Sequence, residues 1–336
     1  MTFAVTGANG FLGVHIIHHL LETGHKVFAI KRPNASLSEY NLVKNSFSDK
    51  QINYENLTWV DCELFDIEGL HEVFDKADYV MHLAGSISYL KKDLTRLLEI
   101  NAEYTANVVN VALKCKVKKL LYCSSIAAIS KTTDGSSVKE DRDWDNEVPH
   151  SNYGYTKYLG ECEVWRAAEE GLPVVVINPG VILGMGDWTK GSNKLFKNAQ
   201  TNFPFYSQGI TGWVGVVDVA SIALQLCLSE ITKERFVITS ENLSYKQISD
   251  FMTRALGTKK PKIEIKGLLY KTAYAIVIAK EFFGFGGMLS KETVRASVAQ
   301  NYFDNSKIQE ALNFEFETME DMVKEAVSTK KAQANA

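Results

Sequence analysis

Short apolar, β-branched runs alternate with helical patterns through the first half of the chain. The apolar runs are Thr2–Thr6, Lys26–Ile30, Leu57–Asp61, Tyr79–Leu83, Lys119–Cys123 and Val174–Asn178. They read as near-continuous rather than alternating, the pattern of strands covered on both faces of a sheet. Between them, Phe11–Thr23, Ile67–Phe74 and Leu97–Cys115 carry a helical period, and Gly24 stands where a helix-ending glycine belongs. Strands alternating with helices predict βαβ units, and hence a parallel sheet with right-handed crossovers.

The rhythm changes after Asn178. Pro179-Gly180 breaks the pattern, and Gly184–Gln208 has no clear period. Trp213–Val217 and Arg235–Ile238 read as further strands flanking a helix that starts near Asp218, and residues 245–330 read mostly as helix. The predicted architecture is α/β, a Rossmann-type doubly wound parallel sheet with a smaller, mostly helical C-terminal substrate lobe. Residues 1–180 and 210–240 are assigned to the dinucleotide-binding domain, and 181–209 with 241–330 to a discontinuous substrate lobe.

Composition removes several classes of function. A formal charge of −3 and a charged fraction of 23% offer no basic excess for nucleic acid, so the expected partners are a small molecule or a second copy of the chain, as a homodimer. Five cysteines with no C-x-x-C pair argue against a disulfide framework or zinc site and suit a cytoplasmic protein. The first strand starts at Thr2, leaving no room for a secretory signal. Lys271, Lys280 and Glu281 interrupt the apolar stretch from Leu268 to Leu289, so it falls short of the ~20 residues of a membrane span. Within it, Phe282, Phe283 and Phe285 read as core packing. Trp188, Lys190 and Ser192, in the irregular stretch, either line a substrate site or form a surface loop. His15, His18 and His19 share one face of the first helix and read as a solvated face; no metal site is expected.

The first strand runs directly into Gly7-Ala8-Asn9-Gly10-Phe11-Leu12-Gly13, which opens the first helix. Glycines allow the tight turn and a close backbone approach of a pyrophosphate, and the helix N-terminus offers it N–H groups and a positive dipole end. This context predicts a dinucleotide site. An acid at the end of the second strand would hold the ribose hydroxyl of NAD, whereas an Arg accommodates the 2′-phosphate of NADP. The chain carries Lys31-Arg32-Pro33 there, so Arg32 favours NADP, with NAD as the alternative. Asp61, ending the third strand, is a candidate to contact the adenine.

Tyr153 and Lys157 stand one helical turn apart, so their side chains face the same way. The spacing alone is cheap: 14 Tyr and 37 Lys+Arg in 336 residues give about 1.5 such pairs by chance. What singles out this pair is the glycine turn and the strand ending in Ser124-Ser125 before it. A phenol with a pKa of about 10 is a poor base at neutral pH, and a nearby ammonium lowers that value. A Ser hydroxyl beside the phenol can hold a substrate oxygen while a hydride moves.

With these elements in this order, the chain resembles the extended short-chain dehydrogenases/reductases, often labelled NAD-dependent epimerases/dehydratases. The likeness rests on the G-x-x-G-x-x-G turn, Tyr153-x-x-x-Lys157, His82-Leu83-Ala84-Gly85, Asn101…Thr105-Ala-Asn107 and Val217-Asp-Val-Ala220, and it covers nearly the whole chain. It implies that Tyr153 is the general acid/base and Lys157 its partner at the nicotinamide ribose. Ser125 would orient the carbonyl, Asn101 would take a structural or proton-relay position, Leu83, Ala84 and Gly85 would line the cofactor, and Pro179 would flank the nicotinamide. Asn178-Pro-Gly-Val-Ile-Leu-Gly184 is similar to the dihydroflavonol reductase, aldehyde/ketone reductase and 3β-hydroxysteroid dehydrogenase branch. The expected function is therefore NADP-dependent interconversion of a carbonyl and an alcohol on a small organic substrate. A nucleotide-sugar epimerase with tightly bound NAD is the first alternative, and a non-catalytic dinucleotide sensor the second.

Overall fold

In the computed structural model, residues 1–47, 52–63, 65–132, 134–267, 269–272, 274 and 291–335 are described. Phe282, Phe283 and Phe285 lie outside them. The strands are β1 (Thr2–Thr6), β2 (Lys26–Lys31), β3 (Leu57–Asp61), β4 (Tyr79–His82), β5 (Lys119–Cys123), β6 (Val174–Pro179), β7 (Val181–Leu183), β8 (Phe205–Tyr206), β9 (Ile210–Gly215), β10 (Glu234–Ile238), β11 (Glu241–Ser244) and β12 (Ile263–Glu264). The helices that cover them or carry the site are α1 (Phe11–Glu22), α2 (Ser38–Lys44), α3 (Ile67–Phe74), α4 (Leu94–Leu98), α5 (Tyr104–Cys115), α6 (Asn152–Glu169), α7 (Lys194–Gln200), α8 (Val216–Leu228) and α9 (Tyr245–Leu256).

Seven parallel strands form one sheet in the order β10-β6-β5-β4-β1-β2-β3. Alternate residues of each strand enter cores on opposite faces, which is why the strands read as continuous apolar runs. Phe3, Val5, Leu121, Val175 and Ile177 meet Ile16, Ile17 and Leu20 of α1 and Ile222, Ala223 and Leu226 of α8. On the other face, Ala4, Val80, Leu120, Val174 and Val176 meet Val108 and Ala112 of α5 and Val164 and Ala167 of α6. Helices on both faces make the sheet doubly wound, as expected.

A separate apolar cluster forms in the second half of the chain. Trp213 of β9, fully buried, joins Phe196 of α7, Ile248 and Met252 of α9, and Met319 and Val323 of a C-terminal helix (Met319–Asn335). Trp188 belongs here as well, 6% exposed and stacked on Phe196 with ring centroids 4.9 Å apart, so it is a core residue. Lys190 pairs with Asp187 over the surface.

Three expectations are corrected. The strand read at Trp213–Val217 ends at Gly215, and α8 starts at Val216; β9 pairs with β7 and β11 in a small sheet instead of joining the large one. Leu97–Cys115 is not one regular helix, because a π-helical turn, Glu99–Glu103, separates α4 from α5. The histidine face of α1 is not solvated. His15 and His18 are 4% and 1% exposed, His15 meeting the Met185 carbonyl at 2.8 Å and His18 stacking on Tyr40 of α2. Burial lowers both pKa values to about 4 and keeps the rings neutral.

Candidate active site

The chain leaves β1 toward β2 and β3 on one side, while β4, β5 and β6 lie on the other. Ligands of open α/β sheets bind in the crevice at such a switch point, outside the carboxyl ends of the strands. Gly7, at φ +68°, sits at that place. A Cβ on it would stand 2.7 Å from the Ala84 nitrogen and 2.9 Å from the Leu83 carbonyl carbon, so a larger residue would prise apart the ends of β1 and β4. A Cβ on Gly13 would come within 2.3 Å of the Gly7 oxygen, so α1 rests directly on the turn. The helix starts after exposed Gly10, and no side chain caps it. Its first residues, Phe11 and Leu12, leave amides of the kind that hold a phosphate. Asn9 donates to the Ser36 carbonyl at 3.2 Å, tying the turn to the loop after β2. These features fit a dinucleotide with its pyrophosphate at the α1 terminus.

At the outer corner, Lys31 and Asp61 face each other in register on β2 and β3 and form an ion pair. Arg32, the next residue, is exposed beyond the end of β2. The carboxylate at this corner is thus engaged by Lys31, and Arg32 is a second cation there.

The side chains expected to react converge from three elements. Tyr153 and Lys157 lie on α6, whose N-terminus Ser151 caps by accepting the Gly154 N–H at 2.9 Å. A Cβ on Gly154 would stand 2.3 Å from the Ala127 oxygen, so glycine lets α6 seat against the segment after β5. That contact brings Ser125 to Tyr153, and the Ser125 hydroxyl acts to lower the pKa of the phenol. The Ser125 oxygen also accepts the Ala127 N–H at 3.1 Å, which occupies a lone pair and leaves its hydrogen for another oxygen.

Lys157 donates to the Cys123 carbonyl at 2.8 Å, with its ammonium 4.2 Å from the centre of the Tyr122 ring. It is 3% exposed, and burial lowers its pKa to about 8, so it stays a cation at neutral pH. The phenol departs from expectation. Burial, reinforced by Tyr89, raises the Tyr153 pKa, opposed only in part by the Ser125 hydroxyl. Tyr153 is therefore held protonated, ready to give a proton.

Asn101 sits fully buried in the π-helical turn. Its Oδ1 accepts the Ser86 N–H at 2.8 Å, and its Nδ2 donates to the Ser86 carbonyl at 2.9 Å and to Thr156 Oγ1 at 3.0 Å. Thr156 donates to the Tyr153 carbonyl at 3.0 Å. Asn101 thus joins the loop after β4 to the reactive turn of α6, and a Cβ on Gly85 would lie 3.3 Å from its Oδ1 and 3.8 Å from Lys157 Nζ.

The structure gathers Ser125, Tyr153, Lys157, Asn101 and Gly85. Leu83 and Ala84 line the β1–β4 crevice, and Pro179 closes β6 at the same sheet edge. Arg32 and Asp61 stand apart from this group, across β1 at the ends of β2 and β3. Sequence reading missed Tyr89, whose ring meets Tyr153 edge-on with centroids 6.1 Å apart. It also missed Thr156, adjacent to Lys157, which only the hydrogen-bond partners reveal. Among the described residues no group of His, Cys, Asp and Glu could hold a metal, and no helix is long and apolar enough to cross a membrane.

Comparisons with known proteins agree with this fold. The model of the NAD dependent epimerase/dehydratase family matches residues 3–238. A Synechocystis protein named "Putative dihydroflavonol 4-reductase" is 28% identical over 335 residues, covering 97% of this chain and 93% of that one. The crystal structure of gox2253 superposes with a TM-score of 0.81 at 24% identity, covering 99% of this chain and 98% of the other. A dTDP-glucose 4,6-dehydratase from Bacillus anthracis, solved in complex with NAD, gives a TM-score of 0.77 at 17% identity, covering 100% and 98%. The chain belongs to the NAD dependent epimerase/dehydratase family and is an extended short-chain dehydrogenase/reductase.

Proposed function

We propose that this member of the family is an NADP-dependent oxidoreductase that interconverts a carbonyl and an alcohol on a small organic substrate, with Tyr153 as general acid/base. The observation that carries the reading is the convergence of Ser125 with a buried, protonated Tyr153 and, one turn along the same helix, the buried Lys157 ammonium. A nicotinamide dinucleotide, when bound, supplies the hydride to the carbonyl carbon or takes it back. Ser125 and Tyr153 direct their hydroxyls at the carbonyl oxygen, and Tyr153 gives it a proton as the carbon is reduced. Lys157, fixed by the Cys123 carbonyl, holds the nicotinamide ribose, and its charge stabilises the phenolate left on Tyr153. Asn101 keeps the Ser86 loop and the Tyr153 turn in register. Arg32 favours NADP over NAD because a guanidinium suits a 2′-phosphate. The relative named as a reductase supports net reduction.

The test is NADPH consumption at 340 nm with a panel of aldehydes and ketones, run beside NADH and beside nucleotide sugars. Steady loss of NADPH that Tyr153→Phe abolishes is the expected result. Tightly retained NAD together with epimerisation of a nucleotide sugar, and no net NADPH consumption, would refute it.

A further inference from the structure

Ser125 is attached to α6 through a residue with no role so far. Asn178, the penultimate residue of β6, is fully buried. Its Nδ2 donates one hydrogen to the Ser125 carbonyl at 3.0 Å and the other to Glu161 Oε1 at 2.6 Å. Both partners are acceptors, so the amide can be oriented in only one way. Glu161, 1% exposed, lies one helical turn beyond Lys157 on α6. Its other oxygen accepts from Arg235 at 3.2 Å. Arg235, on edge strand β10, is fastened in turn to the Glu140 carbonyl at 2.6 Å and the Arg142 carbonyl at 2.7 Å.

The Ser125 carbonyl is thus tied through Asn178 to Glu161, on the same helix as Tyr153 and Lys157. A buried carboxylate is costly unless charge-paired and hydrogen-bonded, and Arg235 with Asn178 meets both conditions. The bonds to Asn178 and Arg235 hold the carboxylate in one orientation, so the Ser125 main chain is set against a rigid anchor.

We infer that Asn178, held by Glu161 and Arg235, is a positioning residue that aims the Ser125 hydroxyl at the substrate oxygen. The inference rests on the proposed role of Ser125 in carbonyl chemistry. Asn178→Leu keeps the branched shape of the side chain and removes both donors. It should lower kcat about ten- to a hundredfold, the effect of roughly an ångström of misplacement, while the NADPH dissociation constant stays within about twofold. Because Asn178 acts through Ser125, adding Asn178→Leu to Ser125→Ala should cost less than about twofold more. Multiplying losses in the double variant would overturn the inference. If Asn178→Leu does not fold, Glu161→Gln enters the same cycle, and additivity there counts equally against it. Should the wild type reduce no carbonyl, the functional reading fails, and crystal structures of wild type and variant with NADP decide the positioning role separately. A shift of Ser125 Oγ relative to Tyr153 in the variant is expected; an unmoved Ser125 would refute the role.

Discussion

Lys157 carries a charge the fold does not favour, and replacing it should stabilise the protein while removing its activity. Burial takes the ammonium from its ordinary pKa of 10.5 to about 8. At about 1.36 kcal/mol per pH unit, that difference corresponds to about 3 kcal/mol of folding free energy lost to keeping the group charged inside. Lys157→Met removes this cost but leaves the Cys123 carbonyl without its donor, a loss of about 1 kcal/mol. The variant should therefore be more stable than wild type by about 2 kcal/mol at pH 7. The sign of the pH dependence follows from proton counting. Below pH 8 both the folded and unfolded wild-type chains hold the Lys157 proton, so the difference is constant. Between about pH 8 and 10.5 the folded chain has released it while the unfolded chain still binds it, so wild-type stability gains on the variant by up to about 1.4 kcal/mol per pH unit. Urea unfolding of the cofactor-free proteins, followed by tryptophan fluorescence at pH 7, 8.5 and 10, reads this directly. The variant's advantage should have vanished by pH 10. An advantage equal at pH 7 and pH 10, or a variant less stable than wild type at pH 7, would refute the reasoning.

Arg32→Ala should weaken NADPH binding about tenfold, the value of one charge-assisted contact, and leave NADH binding within about twofold, as measured by cofactor fluorescence. Equal losses for both cofactors would remove Arg32 from the 2′-phosphate. Gly7→Ala places a methyl 2.7 Å from the Ala84 nitrogen at a φ of +68°, and should cost at least about 2 kcal/mol in thermal unfolding as well as cofactor affinity. A near-native midpoint would show that the ends of β1 and β4 can separate cheaply. Trp188→Ala should destabilise by about 3–5 kcal/mol as a core truncation, and any substrate the wild type turns over should keep its KM in the folded variant. A changed KM at unchanged stability would instead put Trp188 in the substrate site.

The central sheet was legible in the chain because its strands are buried on both faces, and burial on both faces writes itself as a continuous apolar run. The same argument explains the error at Trp213–Val217. A strand end and the first turn of a buried helix are both apolar, so Gly215-Val216-Val217 gives no local sign of where one becomes the other. Nor does an apolar run say which sheet it joins, since β9 and β10 differ only in their distant partners. The histidines of α1 looked polar enough for solvent, yet Tyr40 and Met185 cover them from elsewhere in the chain. The site shows the same boundary between local and non-local information. Spacing on one helix places Tyr153 and Lys157 on a common face, and that much is local. Where the ammonium goes is set by β5, whose Cys123 carbonyl draws it, and the phenol is left to burial and Ser125. The expectation that Lys157 lowers the Tyr153 pKa took the pair as isolated in water. In the folded chain, desolvation governs both groups and moves them in opposite directions, the phenol up and the ammonium down. Each shift disfavours charge, and at neutral pH together they leave a neutral proton donor and, one turn along α6, a buried cation. That arrangement suits a site whose task begins with giving a proton to a nascent alkoxide.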